Sequence, residues 1–131
     1  MSIDIDGNDY WVLEKIDTNK ISVICSEYNH WIGNNTRKVM HYDKNFTYKY
    51  DYYCGASLHS YVNLLSSKNF DLVAIDSSGT NAFYVKENFS SFFEILSATK
   101  SFKKSSRFHS KDETSKIENY VLNCKFIDLD I

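Results

Sequence analysis

The chain opens with apolar and acidic residues in strict alternation: Ile3 and Ile5 against Asp4 and Asp6. That period of two predicts a half-buried strand, and Gly7 ends it. Asn8 or Asp9 then stands where a helix cap belongs, ahead of Tyr10, Trp11, Val12, Leu13 and Ile16. Residues 21–26 (Ile-Ser-Val-Ile-Cys-Ser) are β-branched and few, which predicts a second strand. From Glu27 to about Ala56 neither period holds, so a long loop is expected. Ser57 is placed to cap a helix whose Leu58, Tyr61, Val62 and Leu65 share one face and which ends near Lys68 and Asn69. Residues 70–75 and 82–85 flank Ser78-Gly79, the pattern of a tight hairpin. Phe89, Phe92, Phe93 and Leu96 predict a short amphipathic helix or an aromatic clamp. Residues 100–116 turn to serine and charge, with Lys100, Lys103, Lys104, Arg107, Lys111 and Lys116 against Asp112 and Glu113, and read as a solvated linker. A last strand can form within 120–131, through Tyr120-Val121-Leu122 or Phe126-Ile127.

Strand, helix, strand, loop, helix and hairpin in that order predict an α/β fold with a parallel first pair and a mixed sheet. Ligands in such sheets bind beyond the carboxyl ends of the parallel strands. Those ends are Asp4-Ile5-Asp6-Gly7 and Glu27-Tyr28-Asn29-His30, and both are expected at one crevice.

Composition narrows the function. A chain of 131 residues with 43% hydrophobic and 24% charged content suits one folded domain. The net charge of −2 gives no general attraction to nucleic acid or to an anionic membrane. The four glycines, Gly7, Gly33, Gly55 and Gly79, are too far apart for a GxGxxG or Walker loop. No apolar run nears the roughly 18 residues that span a bilayer, and the start lacks a signal-peptide pattern, so a cytoplasmic chain without a membrane partner is expected. Cys25, Cys54 and Cys124 are odd in number and lack metal-binding spacing; reduced structural thiols are expected.

The constellation with chemistry is Asp4, Asp6, Glu27, Asn29 and His30. Its carboxylates can hold a hard divalent cation, or one can act as a general base. His30 can serve as acid, base or ligand. The plainer reading has Asp6 and Asn8 capping the first helix, Asp4 in solvent and His30 exposed and idle. His41, His59 and His109 lack a partner at ligand spacing. Tyr42, Phe46, Tyr48, Tyr50, Tyr52 and Tyr53, interleaved with Lys44 and Lys49, suit either an edge strand or the stacking of sugars and bases.

Several of these segments together resemble one family. Ser2-Ile3-Asp4-Ile5-Asp6-Gly7-Asn8-Asp9-Tyr10-Trp11, Glu27-Tyr28-Asn29, Gly55-Ala56-Ser57-Leu58 and Asn81-Ala82-Phe83 are similar, in sequence and order, to the later strands of FkbM-type, class I S-adenosylmethionine-dependent methyltransferases of an uncharacterised subgroup. The resemblance covers roughly residues 1–86. It implies a partial Rossmann-like methyltransferase sheet, parallel strands with a C-terminal antiparallel hairpin. Residues 1–98 would form the C-terminal half of that domain, 99–116 a polar basic linker and 117–131 a terminal strand or tail. It also implies S-adenosylmethionine as cofactor and methyl transfer to a hydroxyl of a sugar or small metabolite. Acidic metal ligands follow the same two strands in metal-dependent O-methyltransferases, and the Tyr/Lys segment would lie over the active site. The family's glycine-rich turn after strand one and acidic end of strand two have no counterpart in these residues. The expectation is therefore a domain inactive alone unless completed by a partner or a further segment. A second expectation, of another class, is an interaction module pairing through an exposed first strand, with self-association.

Overall fold

The computed structural model describes residues 1–105 and 109–130. Its main sheet has the order β1 (Ser2–Ile3), β2 (Val23–Glu27), β5 (Asn81–Lys86), β4 (Phe70–Ile75). Only β1 and β2 pair in parallel; β5 runs against both of its neighbours. The fold is thus mixed α/β, and the expected parallel character is confined to the first pair. A second sheet of two antiparallel strands joins β3 (Lys38–Val39) to β6 (Ile127–Asp128).

Helix α1 (Asp9–Lys15) links β1 to β2, and α2 (Leu58–Ser66) precedes the hairpin. Both pack on one face of the main sheet. Leu13 of α1 and Leu58, Tyr61 and Leu65 of α2 share a core with Ile24, Phe70, Leu72, Ala82 and Tyr84. Those sheet residues alternate along their strands, so the same period that predicted strands also selects the buried face. The opposite face carries Val23, 46% exposed, and half-buried Cys25 and Phe83. Ser57 caps α2 as the sequence predicts, accepting from the Ser60 amide at 3.2 Å and donating to the Thr36 carbonyl at 2.7 Å.

Three expectations are corrected. The first strand stops at Ile3, because the backbone amides of Ile5 and Gly7 bond to the Asp9 carboxylate instead of a sheet. Asn8 occupies the cap position of α1 without a capping side-chain bond; its amide group exchanges bonds with the Asp43 backbone. Residues 111–123 form a helix, α4 (Lys111–Asn123), where a linker and then a strand over 120–122 were expected. Ser110 and Glu113 close a capping box at its start, and Ile117 and Val121 bury against Trp31 and Ile32. Arg107 of the basic run lies outside the described residues. The Phe89–Leu96 stretch forms a 3₁₀ helix over Glu87–Phe92 and no clamp: Phe89, Phe92 and Phe93 are exposed, while Leu96 packs on the core. A four-residue helix, α3 (Ala98–Ser101), follows. Among the described residues no helix is long and apolar enough to cross a membrane, and the three cysteines are unpaired.

The hairpin turns on Asp76 as well as on Gly79, whose φ of 74° suits glycine. One Asp76 oxygen accepts from the Gly79 and Thr80 amides at 2.8 and 3.0 Å. The other accepts from Ser78 Oγ at 2.8 Å and Asn81 Nδ2 at 2.9 Å. Partial burial pushes this carboxyl up, but the bonds from Asn81, Thr80 and Ser78 override it and hold the group well below the ordinary range. A depressed carboxyl stabilises the fold above its unfolded value near pH 3.8 and loses that contribution as pH falls toward the folded one. Asp76→Asn is therefore expected to lower stability by about 1 kcal/mol at neutral pH, a screened figure for an exposed turn. The difference should shrink below about pH 4 in urea unfolding curves taken across the acid range.

Candidate functional site

The carboxyl ends of β1 and β2 meet, as their parallel pairing requires. Asp4 and Asp6 leave the end of β1 and Glu27 is the last residue of β2; one carboxylate oxygen from each lies within 4.8 Å of the others. Beside them is a half-open pocket of about 160 Å³. Asp6, Glu27, Asn29 and His30 line it, and exposed Asp4 does not. The rest of its wall holds Asp9, Trp31, Cys54 and Tyr61, which sequence reasoning did not assign to a site, and Tyr48 and Tyr52 of the Tyr/Lys segment. Tyr61 reads as a helix-face core residue, and nothing in its spacing distinguishes a hydroxyl that reaches a cavity from one that does not.

The local backbone explains the placement. Asp6 has φ of 54°, and the Asp9 carboxylate, 3% exposed, receives the Ile5 and Gly7 amides at 2.9 Å each. The Gly7 carbonyl in turn accepts the Gly55 amide at 3.2 Å, tying the loop after β1 to the segment before α2. A Cβ on Gly7 would run into the Phe46 ring, so glycine here lets the long loop pack close without shifting that side chain.

Each candidate has a distinct setting. Asn29 is fully engaged: its Oδ1 accepts the Trp31 amide, and its Nδ2 donates to the carbonyls of Tyr52 and Cys54 at 2.8 and 3.0 Å. It latches the long loop to the end of β2. His30, expected to be exposed in the plainer reading, is buried. Burial first, then the charges of Lys104 and His109, lower its pKa to about 4, so the ring is neutral at physiological pH. Its Nδ1 has no protein partner among the described residues. Burial raises Asp6, with the charges of Asp4 and Asp9 adding to the shift. Glu27 is pushed up to about 7 by burial and by repulsion from Asp4, Asp6 and Asp9. The Cys54 thiol, driven up to about 12 by burial and then by Glu27, Asp6, Asp9 and Asp51, is a poor nucleophile.

The donor set of Asp4, Asp6 and Glu27 can offer oxygen to a hard cation. S-adenosylmethionine does not fit these residues as a whole. The pocket is well below the roughly 300–1,000 Å³ of sites that enclose a ligand of that class. The formally charged side chains of its wall are all carboxylates, which offer no donor to the cofactor's own carboxylate. Comparison with protein-family models, curated proteins and solved structures finds no match to this chain.

Two outcomes follow from the electrostatics. The Tyr61 hydroxyl is fully buried without a protein partner among the described residues, so Tyr61→Phe is expected to hold or raise stability by about 1 kcal/mol in chemical denaturation; a loss of that size would mean the hydroxyl is bonded in solution. Glu27 folds with a raised pKa, so the ionised form opposes folding. Stability linked to it is present below about pH 4.5 and falls as pH rises through about 7. Glu27→Gln should accordingly be more stable than the parent at pH 8, with the difference vanishing near pH 4 in paired melting curves.

Proposed function

We propose that the crevice at the ends of β1 and β2 is the acceptor site of a methyltransferase-type α/β domain, whose activity is methyl transfer from S-adenosylmethionine to a hydroxyl of a sugar or small metabolite. The observation that carries this reading is Glu27: a carboxyl on the wall of a pocket beyond the parallel strand ends, poised at about 7. A general base works best with a pKa near the working pH, and a carboxylate there can take the proton of a bound hydroxyl on its Oε. The placement of the return strand β5 between β2 and β4 agrees with the order of segments in the resemblance. Asp6 holds and orients the acceptor beside Glu27, and neutral His30 offers a hydrogen bond without charge. Asp4 contributes by repulsion, Asn29 by fixing the loop. The contacts that hold the cofactor would, in this reading, come from a partner or a further segment.

A second reading has one observation in its favour. Strand β1 is the edge of the main sheet, and beside it one sheet face is half-exposed around Val23 and Cys25. Edges of this kind recruit other strands, which suits an interaction module or self-association at β1.

The acceptor reading expects no heat when the folded chain is titrated with S-adenosylmethionine. It expects monosaccharides to shift the backbone amide resonances of Glu27, Asn29 and Gly55. Micromolar cofactor binding would mean that self-association rebuilds a cofactor site. A chain that sediments as a dimer, with every pocket amide unmoved by sugars, would favour the interaction module and remove the acceptor reading.

A further inference from the structure

The pocket's chemistry says more about its ligand than that it carries a hydroxyl. The formally charged side chains that line it are all carboxylates: Asp6, Asp9 and Glu27. Asp4 adds a fourth at the rim, with an oxygen within 4.8 Å of those of Asp6 and Glu27. No lysine or arginine among the described residues pairs with any of the four: the ion pairs are Lys15–Glu14, Arg37–Asp130 and Lys104–Glu118. Asp9 is held by two backbone amides, whereas among the described residues Asp6 has no such donor and Glu27 shares a hydrogen bond only with the Asp4 carboxyl. Asp4 and Asp6 are exposed and Glu27 half-buried; like charges this close repel, and a bound cation or a proton on Glu27 relieves the repulsion.

An acidic cluster alone would not identify a ligand, but two independent atoms point the same way. The Tyr61 hydroxyl and His30 Nδ1 are buried, lack a protein partner among the described residues, and belong to side chains lining the same pocket. Buried polar atoms of this kind normally have a partner. The pocket therefore presents anionic acceptors together with neutral hydrogen-bonding atoms.

We infer that the pocket receives a small amino alcohol, its ammonium held by Asp6 and Glu27 and its neighbouring hydroxyl facing Tyr61 and His30. This rests on the acceptor reading and deepens it by naming the class of acceptor, one whose hydroxyl has an ammonium on the neighbouring carbon. The aromatic wall argues for an ammonium over a hard metal ion. Tyr48 and Tyr52 line the pocket beside the carboxylates, and aromatic rings attract an organic cation, as the Trp31 ring already does with the Lys104 ammonium at 5.6 Å. Size agrees: about 160 Å³ is close to the cavity of roughly 150 Å³ that encloses benzene, so it takes a group of about six heavy atoms. An amino sugar would insert its amine-bearing edge, and a free amino alcohol would enter whole.

The test is a matched set of titrations of the intact chain, followed by backbone amide shifts at Glu27, Trp31 and Gly55. Glucosamine and glucose differ at one group, ammonium against hydroxyl, and ethanolamine supplies the same pair without a ring. Glucosamine is expected to bind at least about tenfold more tightly than glucose, as a charge-assisted bond should. Asp6→Asn and Glu27→Gln should each remove most of that preference, and Tyr61→Phe should weaken both ligands alike while leaving the fold intact. Equal binding of glucosamine and glucose would overturn the inference and leave the acceptor reading standing. Binding of ethanolamine and glucosamine with no neutral sugar bound would uphold the inference and count against a general hydroxyl acceptor site. Line broadening by Mn²⁺ at these amides, with no shift from either amine, would overturn the inference in favour of a metal. Comparing glucosamine with ethanolamine tells an amino sugar from a free amino alcohol.

Discussion

The site depends on one buried carboxylate, Asp9, whose first task is structural. Asp9 begins α1 and turns back to accept the amides of Ile5 and Gly7, so the chain leaves the sheet after Ile3 and folds into a tight bracket. Without those two bonds the amides would need a strand or water, and nothing would hold Asp6 in its left-handed conformation. The bracket brings Asp4 and Asp6 to Glu27 and presents the Gly7 carbonyl to Gly55. Charge repulsion would otherwise drive these loops apart. Two short bonds to a desolvated carboxylate offset that repulsion, since bonds to charged groups are the stronger kind.

The long loop is ordered by ties from both ends of the molecule. Asn29 draws Tyr52 and Cys54 to the end of β2, Asn8 holds the Asp43 backbone, and Trp11 Nε1 donates to the Met40 carbonyl at 2.9 Å. From the C-terminal side, Tyr120 reaches the Asp51 carboxylate at 3.3 Å and the Tyr53 hydroxyl donates to the Lys125 carbonyl at 3.1 Å. Arg37 pairs with Asp130, and the Leu129 amide bonds to the Arg37 carbonyl at 2.7 Å. Tyr48 and Tyr52 are thereby set in the pocket wall by contacts far from it in sequence. The last twenty residues act as a brace for the loop rather than as a tail.

How much of this the sequence discloses follows from where each signal resides. Period and capping are local, so β2, α2 and the β4–β5 hairpin are legible, and the bounds of β4 agree with the apolar run. The meeting of Asp4, Asp6 and Glu27 is legible too, because two strands joined by a helix bring their carboxyl ends together. Helix α4 was also within reach: Ser110-Lys111-Asp112-Glu113 is a capping box, and Ile117 with Val121 is a helical pair. Its high charge outweighed those cues, since only two of its residues are buried. The roles of Asp9, Asn29 and Tyr61 were out of reach. An aspartate before a helix reads as a cap, and only the three-dimensional path of Ile5 to Gly7 makes it a bracket. The burial of His30 was equally hidden, because it is imposed by Trp31 and the loop held by Asn29.

The same arrangement separates the roles of two titratable neighbours. Glu27 and His30 are three residues apart and line one pocket, yet burial moves their pKa values in opposite directions: the carboxyl up to about 7, the imidazole down to about 4. Desolvation penalises whichever form is charged, so an acid is raised and a base lowered by the same cause. The secondary causes reinforce the split. Asp4, Asp6 and Asp9 act on Glu27, while Lys104 and His109 act on His30, so negative charge gathers at the strand ends and positive charge behind Trp31. A ligand entering between them meets a field with a direction. Its cationic end is drawn to the carboxylates, and its neutral end rests against an uncharged ring. Orientation is then built into the empty pocket before any contact forms, which reduces the ordering that binding itself must supply.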